Sequence, residues 1–314
     1  AIWTYLKSVN PRDRKNVENT GLFSFNVRFP LAIWSMLFRG DDSLEVDDSK
    51  SRLWNRGKYL VLGLGHCAEC HTPRNLAMAM AWDEAFKGNL IDGWQAPDIS
   101  ANMLHRQGWT VAQLASFLKY GYSDKGTVFA GMAEVVSNST RYLTKEDALA
   151  MATYLVEGDQ AIGNTIDPDA VPIEYPGLTN EAYADKNYNI FTTVCGACHG
   201  LQGEGRPGIA PVLVGNSIFS LDDPYNAVAV VLRGLAPDFS GLKGTDMPMA
   251  SFGGLVPDAR VAEMVTFLRT YFGGQPEPVT SKGVTKIRKD LEKGGFTPAF
   301  HKKMAVPESP ESVR

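Results

Sequence analysis

One five-residue motif occurs twice in this chain and limits what each half of it can do. Residues 67–71 are Cys-Ala-Glu-Cys-His, and residues 195–199 are Cys-Gly-Ala-Cys-His. Both are Cys-x-x-Cys-His, the pattern through which a c-type haem is attached. Two thiols one helical turn apart form thioethers to the porphyrin vinyl groups, and the next histidine ligates the iron. The motifs predict two covalently bound haems c with these protein ligands: Cys67, Cys70, Cys195 and Cys198 as thioethers, and His71 and His199 on the iron.

The other uses of such cysteines fit this chain less well. All four cysteines of the 314 residues lie in the two motifs. Paired Cys-x-x-Cys sequences also bind zinc, and a single one occurs in redox enzymes. Neither chemistry requires a histidine directly after the second cysteine, and both copies have one. We therefore expect haem rather than zinc or dithiol chemistry.

Length and composition suit two domains of ordinary size. A chain of 314 residues allows two domains of roughly 150 residues each. Hydrophobic residues make up 44%, enough for real cores. The net charge of −4 argues against a nucleic-acid partner, which favours a basic surface. No run of 18 or more apolar residues occurs, so no transmembrane helix is expected.

A short pattern of threonine, an aromatic residue and leucine follows each motif. Residues 153–155 are Thr-Tyr-Leu and residues 266–268 are Thr-Phe-Leu, each on a helical pattern with an N-terminal start signal. Each resembles the last helix of a haem domain, which packs an aromatic face across the haem-attachment helix. Residues 4–6 are also Thr-Tyr-Leu but follow no motif. Residues 1–8 are therefore expected to be the closing helix of a third haem domain further upstream. An ordinary amphipathic helix that resembles the other two by chance is the alternative.

Changes in composition divide the chain into five segments. A connector containing prolines and acids marks the boundary between the two motif-bearing parts. The predicted segments are 1–50 (closing helix and connector), 51–158 (first haem domain), 159–180 (linker), 181–274 (second haem domain) and 275–314 (a tail with at most a charged helix over 286–293).

An aromatic-rich stretch, residues 22–38, precedes the first haem domain. It is interrupted by Pro30 and is too polar to span a bilayer. Such a stretch is typical of a surface for a partner subunit or of a membrane interface. A linker packed on a neighbouring domain is the alternative.

The iron ligand opposite each histidine determines the redox role of a haem. His/Met ligation raises the reduction potential, His/His ligation lowers it, and an open position permits catalysis. For the first haem, Met103 and Met132 remain after the methionines near the motif and on the closing helix are set aside. Met132 is favoured because it lies just before the closing helix. For the second haem, Met247 and Met249 both occupy the corresponding place.

Two loops are expected beside the haems. Residues 94–99 are Trp-Gln-Ala-Pro-Asp-Ile and are predicted to lie along the edge of the first haem. Pro211 follows the second motif in a glycine-rich loop. Its carbonyl is placed to accept the Nδ1 proton of His199 and so to select the tautomer of the ring.

The sequence around the first motif resembles a known family. Residues 55–75 are similar to the central haem domain of the cytochrome c subunits of periplasmic membrane-bound dehydrogenases. Residues 131–136, Gly-Met-Ala-Glu-Val-Val, resemble the segment that carries the family's axial methionine, which supports Met132. In the second domain the resemblance slightly favours Met249, with Met247 as the alternative. The hexapeptide 25–30 resembles the family's connector between its first two haem domains.

The resemblance implies an all-α fold of two consecutive class I-like cytochrome c domains with long loops and a connector. It implies an electron-transfer subunit that accepts electrons from a catalytic dehydrogenase subunit of flavin, quinoprotein or molybdenum type. The partner would oxidise an alcohol, sugar or aldehyde, and a quinone or terminal oxidase would be the acceptor. The expected location is the periplasm, in peripheral attachment to the cytoplasmic membrane, with a third haem on an N-terminal domain absent from this sequence. The alternatives are a dihaem enzyme such as a cytochrome c peroxidase, and a soluble dihaem electron shuttle.

Overall fold

The computed structural model describes residues 2–15, 29–38, 44–235 and 247–293. The chain divides into two units, Ala1–Ser43 and Leu44–Arg314. Most regular structure in the described residues is helical, as expected from the sequence. Within those residues, no helix combines the length and apolar character that crossing a bilayer requires.

The first unit contains the helices α1, Ile2–Ser8, and α2, Phe29–Phe38. The sequence pattern over residues 1–8 predicted the first of these. Pro30 lies in the first turn of α2, where its missing N–H costs no intrahelical bond, so it helps to start this helix rather than interrupt it. No side chain of α2 is buried. The remainder of the predicted aromatic stretch, residues 22–28, lies outside the described residues.

The second unit begins earlier than the predicted boundary at residue 50. The side chain of Asn55 accepts a hydrogen bond from the backbone N–H of Asp47 at 2.8 Å and donates one to the Asp47 carbonyl at 2.9 Å. These two bonds attach the segment before the first haem-domain helix to that helix. The second unit therefore starts at Leu44, inside the segment 1–50 that the sequence predicted as closing helix and connector.

Helices dominate the second unit. In chain order they are α3 (Arg52–Lys58), α4 (Ala68–His71), α5 (Ala101–Arg106), α6 (Val111–Tyr120), α7 (Ala130–Asn138), α8 (Lys145–Glu157), α9 (Asn180–Ala184), α10 (Tyr188–Ile190), α11 (Gly196–His199), α12 (Tyr225–Arg233), α13 (Asp258–Gly273) and α14 (Ser281–Lys293). Hydroxyl side chains that accept a backbone N–H begin five of them, a common device for satisfying the first turn. These caps are Ser51, Ser100, Thr110, Thr144 and Thr179.

The first hydrophobic core forms where α3 crosses α8. The ring of Trp54 on α3 meets the ring of Tyr154 on α8 edge to face, with centroids 5.0 Å apart. The Trp54 indole also donates to the carbonyl of Gly158 at 3.0 Å, just beyond the end of α8. Both rings are almost completely buried. The predicted aromatic face of the closing helix is confirmed for this core.

The second core repeats this arrangement with phenylalanines. Phe191, which precedes the second motif, stacks on Phe267 of α13 with centroids 5.7 Å apart. It also meets Phe272 edge to face at 5.2 Å. Phe267 is the aromatic residue of the Thr-Phe-Leu pattern, so the closing-helix prediction is confirmed here as well.

The chain beyond residue 275 differs from its prediction. The sequence predicted a tail over 275–314 with at most a charged helix over 286–293, but the structure forms α14 over Ser281–Lys293. One face of α14 is packed into the second core through Val284, Ile287 and Leu291. The charged residues that dominate its composition occupy the other faces, so the helix is amphipathic rather than free. Residues 294–314 lie outside the described part of the chain.

Two short hairpins add to the predicted helical architecture. Strands β1 (Asn89–Ile91) and β2 (Trp94–Ala96) form one antiparallel pair, and β3 (Tyr122–Ser123) and β4 (Gly126–Thr127) form the other. Asp92 and Gly93 connect the first pair with φ of 51° and 74°. A two-residue turn with positive φ at both positions matches the twist of the flanking strands, which explains the Asp-Gly sequence.

The predicted linker, residues 159–180, is attached to helices of both cores. The N–H of Ile173 donates to the carbonyl of Arg106 on α5 at 2.6 Å. The N–H of Gly177 donates to the carbonyl of Tyr271 on α13 at 2.8 Å. This segment therefore connects the two cores physically as well as along the chain.

Candidate haem-attachment sites

A widened helical turn precedes each Cys-x-x-Cys-His motif. Helix α3 continues into the π-helical turn Tyr59–Leu64, and α10 continues into the π-helical turn Phe191–Cys195. Such turns are rare in proteins overall, and those that occur often lie at functional sites. They lead into α4 and α11, the two four-residue helices that carry the second cysteine and the histidine of each motif.

Each motif presents one inner and one outer thiol. Cys67 and Cys195 are half-buried, Cys70 and Cys198 are exposed, and all four are unpaired in disulfides. Burial raises the pKa of both Cys67 and Cys195 to about 11, so these thiols are protonated at neutral pH. Thioether formation keeps the sulfur uncharged and suits such a position. Zinc binding would require the thiolate.

The histidines of the two motifs share one hydrogen-bond arrangement. His71 Nδ1 lies 2.8 Å from the carbonyl oxygen of Pro97, and His199 Nδ1 lies 2.9 Å from the carbonyl oxygen of Pro211. A carbonyl only accepts, so Nδ1 carries the proton and Nε2 carries the lone pair that binds a metal. Burial lowers the pKa of both imidazoles, and the carbonyl contact opposes this shift only in part.

The contact of His199 with Pro211 confirms the sequence prediction. The matching contact of His71 with Pro97 was missed, although the loop 94–99 was expected beside the first haem. Pro211 lies 12 residues after its histidine and Pro97 lies 26 residues after His71. No short-range pattern links residues that far apart. The signal in the sequence was the second motif itself, which would have justified a search for a second proline carbonyl.

The donor groups at each motif fit a haem. Each motif supplies two thiols one helical turn apart and an imidazole with its Nε2 lone pair available, which are the groups that a c-type haem uses. A structural zinc site instead brings four nitrogen or sulfur ligands to one point. Among the residues that the structure describes, no three His, Cys, Asp or Glu side chains converge to hold a metal ion.

The methionines considered for the first haem occupy different environments. Met132 lies in the first turn of α7, half-buried, and contacts both the first core and a small cluster beside it. Two residues earlier, Ala130 has a φ of 50°, a left-handed conformation that alanine rarely adopts. Met103 is 5% exposed on α5. On the closing helix Met151 is buried in the first core, as expected from the sequence.

For the second haem the two candidates also differ. Met249 is partly buried against the second core, and its backbone pairs with Leu235 through bonds of 2.8 and 2.9 Å. Met247 is 52% exposed. Met264, on the closing helix, is buried in the second core.

The second core matches a known class of domain. The family model for cytochrome c covers residues 184–271, from α9 through the second motif and into α13. This part of the chain is therefore a cytochrome c domain, the class that binds haem c covalently.

Comparison with curated proteins gives the family. Over 309 residues the chain is 31% identical to the gluconate 2-dehydrogenase cytochrome c subunit of Pantoea cypripedii. Over 306 residues it is 31% identical to the alcohol dehydrogenase (quinone) cytochrome c subunit of Gluconacetobacter polyoxogenes, and each alignment covers 92% of this chain. The chain belongs to this family of dehydrogenase cytochrome c subunits, which confirms the resemblance inferred from the sequence.

The chain is shorter than these relatives. It spans 69% of the gluconate dehydrogenase subunit and 64% of the alcohol dehydrogenase subunit. It is also 32% identical over 278 residues, 87% of its length, to a nicotinate dehydrogenase subunit of Pseudomonas putida, but it spans 22% of that protein.

Proposed function

We propose that this chain is an electron-transfer subunit with two covalently bound haems c, which connects a catalytic dehydrogenase to a quinone or terminal oxidase. The proposal depends on one arrangement that occurs in both cores. Two thiols and a histidine lie on one helical turn, and Nδ1 of that histidine donates a hydrogen bond to a proline carbonyl. The relatives named as cytochrome c subunits of gluconate and alcohol dehydrogenases support a dehydrogenase partner. A haem bound at each motif supplies the one-electron chemistry of iron.

The residues of the chain hold and tune the two groups. The cysteines would attach the porphyrin, and His71 and His199 would bind iron through Nε2, while each Nδ1 keeps its proton and donates it in a hydrogen bond to a proline carbonyl oxygen. This contact fixes the ring orientation and increases the electron donation of the imidazole. The buried aromatic pairs beside the motifs keep water away from this side of each site.

We assign Met132 and Met249 as the second iron ligands of the first and second haems. Both side chains are partly buried against the core that contains their motif. Met247, the alternative in the second site, is more exposed to solvent. A methionine thioether together with histidine would raise the reduction potential of the bound haem. The two sites then correspond to haem domains that contain residues 51–158 and 181–274, with residues 44–50 attached to the first and α14 packed on the second.

The partner is proposed to be a dehydrogenase subunit of flavin, quinoprotein or molybdenum type in the periplasm, with the complex attached peripherally to the cytoplasmic membrane. Helix α2 is our candidate contact with this catalytic subunit. Its ten residues include Phe29, Trp34 and Phe38, and none of its side chains is buried. Exposed aromatic side chains commonly supply most of the binding energy at protein interfaces.

Rapid mixing tests the proposal. The purified chain is mixed with the catalytic subunit that copurifies with it and with the substrate of that subunit. The absorption bands of Fe(II) haem should then appear quickly. The chain with substrate alone should stay oxidised, because a haem would take up single electrons and not the hydride that a dehydrogenase removes from its substrate. Reduction by substrate without the partner, or steady consumption of hydrogen peroxide by the chain alone, would replace an electron-transfer function with an enzymatic one.

A further inference from the structure

The backbone N–H and C=O of Gln95 on β2 make no hydrogen bond within the hairpin β1–β2. Ile91 pairs with Trp94 beside the two-residue turn, and Leu90 pairs with Gln95 next along the ladder. In an antiparallel hairpin of this length the pair beside the turn is hydrogen-bonded and the next pair is not. The N–H and C=O of Gln95 therefore point away from β1.

Asn226 satisfies both of these outward groups. Its Oδ1 accepts the Gln95 N–H at 3.0 Å, and its Nδ2 donates to the Gln95 carbonyl at 2.7 Å. One side-chain amide thus takes the place of a neighbouring strand. Asn226 is 3% exposed, so water does not easily replace either bond. It lies on α12, which belongs to the second core.

Two further contacts place the hairpin turn against the second core. The Trp94 ring packs on that core. The Tyr225 hydroxyl donates to the carbonyl of Gly93 at 3.3 Å. The second core therefore contacts the hairpin at three successive residues, 93–95.

The other end of this segment orients the histidine of the first core. Two residues after Gln95 is Pro97, whose carbonyl accepts the Nδ1 proton of His71 at 2.8 Å. The path from α12 to His71 is thus one buried amide, a short extended segment and one hydrogen bond.

The second site has a more local support. The segment before Pro211 is closed by the bridge between Arg206 and Ala210. The segment after it is held by the N–H of Leu213 on the carbonyl of Gly203 at 2.8 Å. These partners all lie within the second core region, so the two histidines are supported in different ways.

We propose that Asn226 is a positioning residue for the first haem, although it belongs to the second core. By holding Gln95 it keeps the Pro97 carbonyl at hydrogen-bond distance from His71. This inference rests on the proposed attachment of a haem at the first motif. A shorter Nδ1–H···O contact makes the imidazole a stronger donor and stabilises oxidised iron, so loosening the contact raises the reduction potential.

The test is a chemical redox titration of the two-haem protein, which needs no dehydrogenase. Histidine-specific ¹⁵N labelling lets His71 and His199 each report the potential of its own haem. Asn226→Leu, close in size but unable to hydrogen-bond, should shift the first potential upward and leave the second unchanged. It should also speed solvent exchange of the His71 Nδ1 proton. Asn226→Ala, which removes both hydrogen-bonding groups without adding a charge, should shift the first potential in the same direction.

The matched control is Ser220→Ala. Ser220 accepts a hydrogen bond from Gln107 at 3.0 Å, a different buried contact between the two core regions. This variant should leave both potentials unchanged. Three results would overturn the inference. The Asn226 variants could shift both haem potentials equally, they could leave the first potential unchanged, or Ser220→Ala could shift the first potential as much as they do. If Asn226→Leu does not fold, Asn226→Ala decides alone. A failure of electron transfer from the dehydrogenase would contradict the proposed function without affecting these potentials.

Discussion

Gly57 lies directly against the backbone of Ala150, where the helix before the first attachment motif crosses the helix that closes the first core. A Cβ atom at Gly57 would lie 2.0 Å from the carbonyl oxygen of Ala150 and 2.7 Å from the Cβ of Tyr154. Backbone atoms on a packed helix cannot move aside as a side chain can. This glycine therefore allows the two helices to approach closely beside the first site.

Gly57→Ala should lower the free energy of unfolding by about 1–2 kcal/mol, since overpacking a core costs about 1–3 kcal/mol and a contact of 2.0 Å with a backbone atom lies at the upper end of that range. The better helix propensity of alanine recovers only about 1 kcal/mol. The matched control is Gly131→Ala on α7, where an added Cβ meets nothing within 4 Å. Urea unfolding of both variants checks this, and equal effects would refute the close-packing argument.

Removing both cysteines of one motif should remove one haem. The Cys67→Ala/Cys70→Ala protein and the Cys195→Ala/Cys198→Ala protein should each hold half of the covalent haem of the unmodified chain, because no other cysteine is present. Pyridine haemochrome absorbance against protein concentration measures the ratio. An unchanged ratio in either variant would show that its motif is not an attachment site.

Met132→Ala should lower the potential of the first haem and open its iron to small ligands, since loss of the thioether removes the stabilisation of reduced iron. Potentiometry and carbon monoxide binding to the reduced protein measure both effects. Met78→Ala is the control, because Met78 is 72% exposed and follows the motif too closely to reach the opposite side. If the Met132 variant keeps its potential and Met103→Ala loses it, the ligand is Met103.

The corresponding comparison in the second site is Met249→Ala against Met247→Ala. We expect the first to lower the potential of the second haem and the second to leave it unchanged, since Met249 alone of the two packs on the core. Loss of the near-red charge-transfer absorption reports the same change of ligand. The reverse result would assign Met247.

Attachment of α14 should weaken in acid. The Thr285 hydroxyl and the Arg288 guanidinium both donate to the Asp258 carboxylate at 2.6 Å, and together they hold its pKa below the ordinary 3.8. Because the folded pKa is the lower one, this stabilisation is complete above about pH 3.8 and is lost as the pH falls through the folded pKa. Asp258→Asn should cost about 1 kcal/mol at pH 7 and less at pH 2, which lies below the ordinary pKa of 3.8.

Urea unfolding at the two pH values measures this difference. Glu292→Gln, an exposed carboxylate on the same helix, is the control and should change stability by less than about 0.5 kcal/mol at either pH. A cost for Asp258→Asn that is as large at pH 2 as at pH 7 would show that the ion pair is not responsible.

Local chemistry in the sequence was sufficient for the parts of each site that lie within one helical turn. The cysteines and histidine of residues 67–71 and 195–199 are brought together by helix geometry alone, so their spacing predicts their arrangement. The start signal of the first closing helix, which the structure shows to be the Thr144 cap of α8, and the short loop from His199 to Pro211 are similarly local. These predictions agree with the structure because few residues separate the groups involved.

Packing between segments that are distant in the sequence determined the parts of the fold and of the first site that no local pattern predicted. Val284, Ile287 and Leu291 form one helical face in the sequence, but their spacing does not say which surface they cover, and the surrounding charges suggested a tail. The pairing of His71 with Pro97, and of Gln95 with Asn226 131 residues away, follows from where α12 and the hairpin meet. Such contacts depend on the free energy of burying whole surfaces, to which many separated residues contribute, so no local pattern records them.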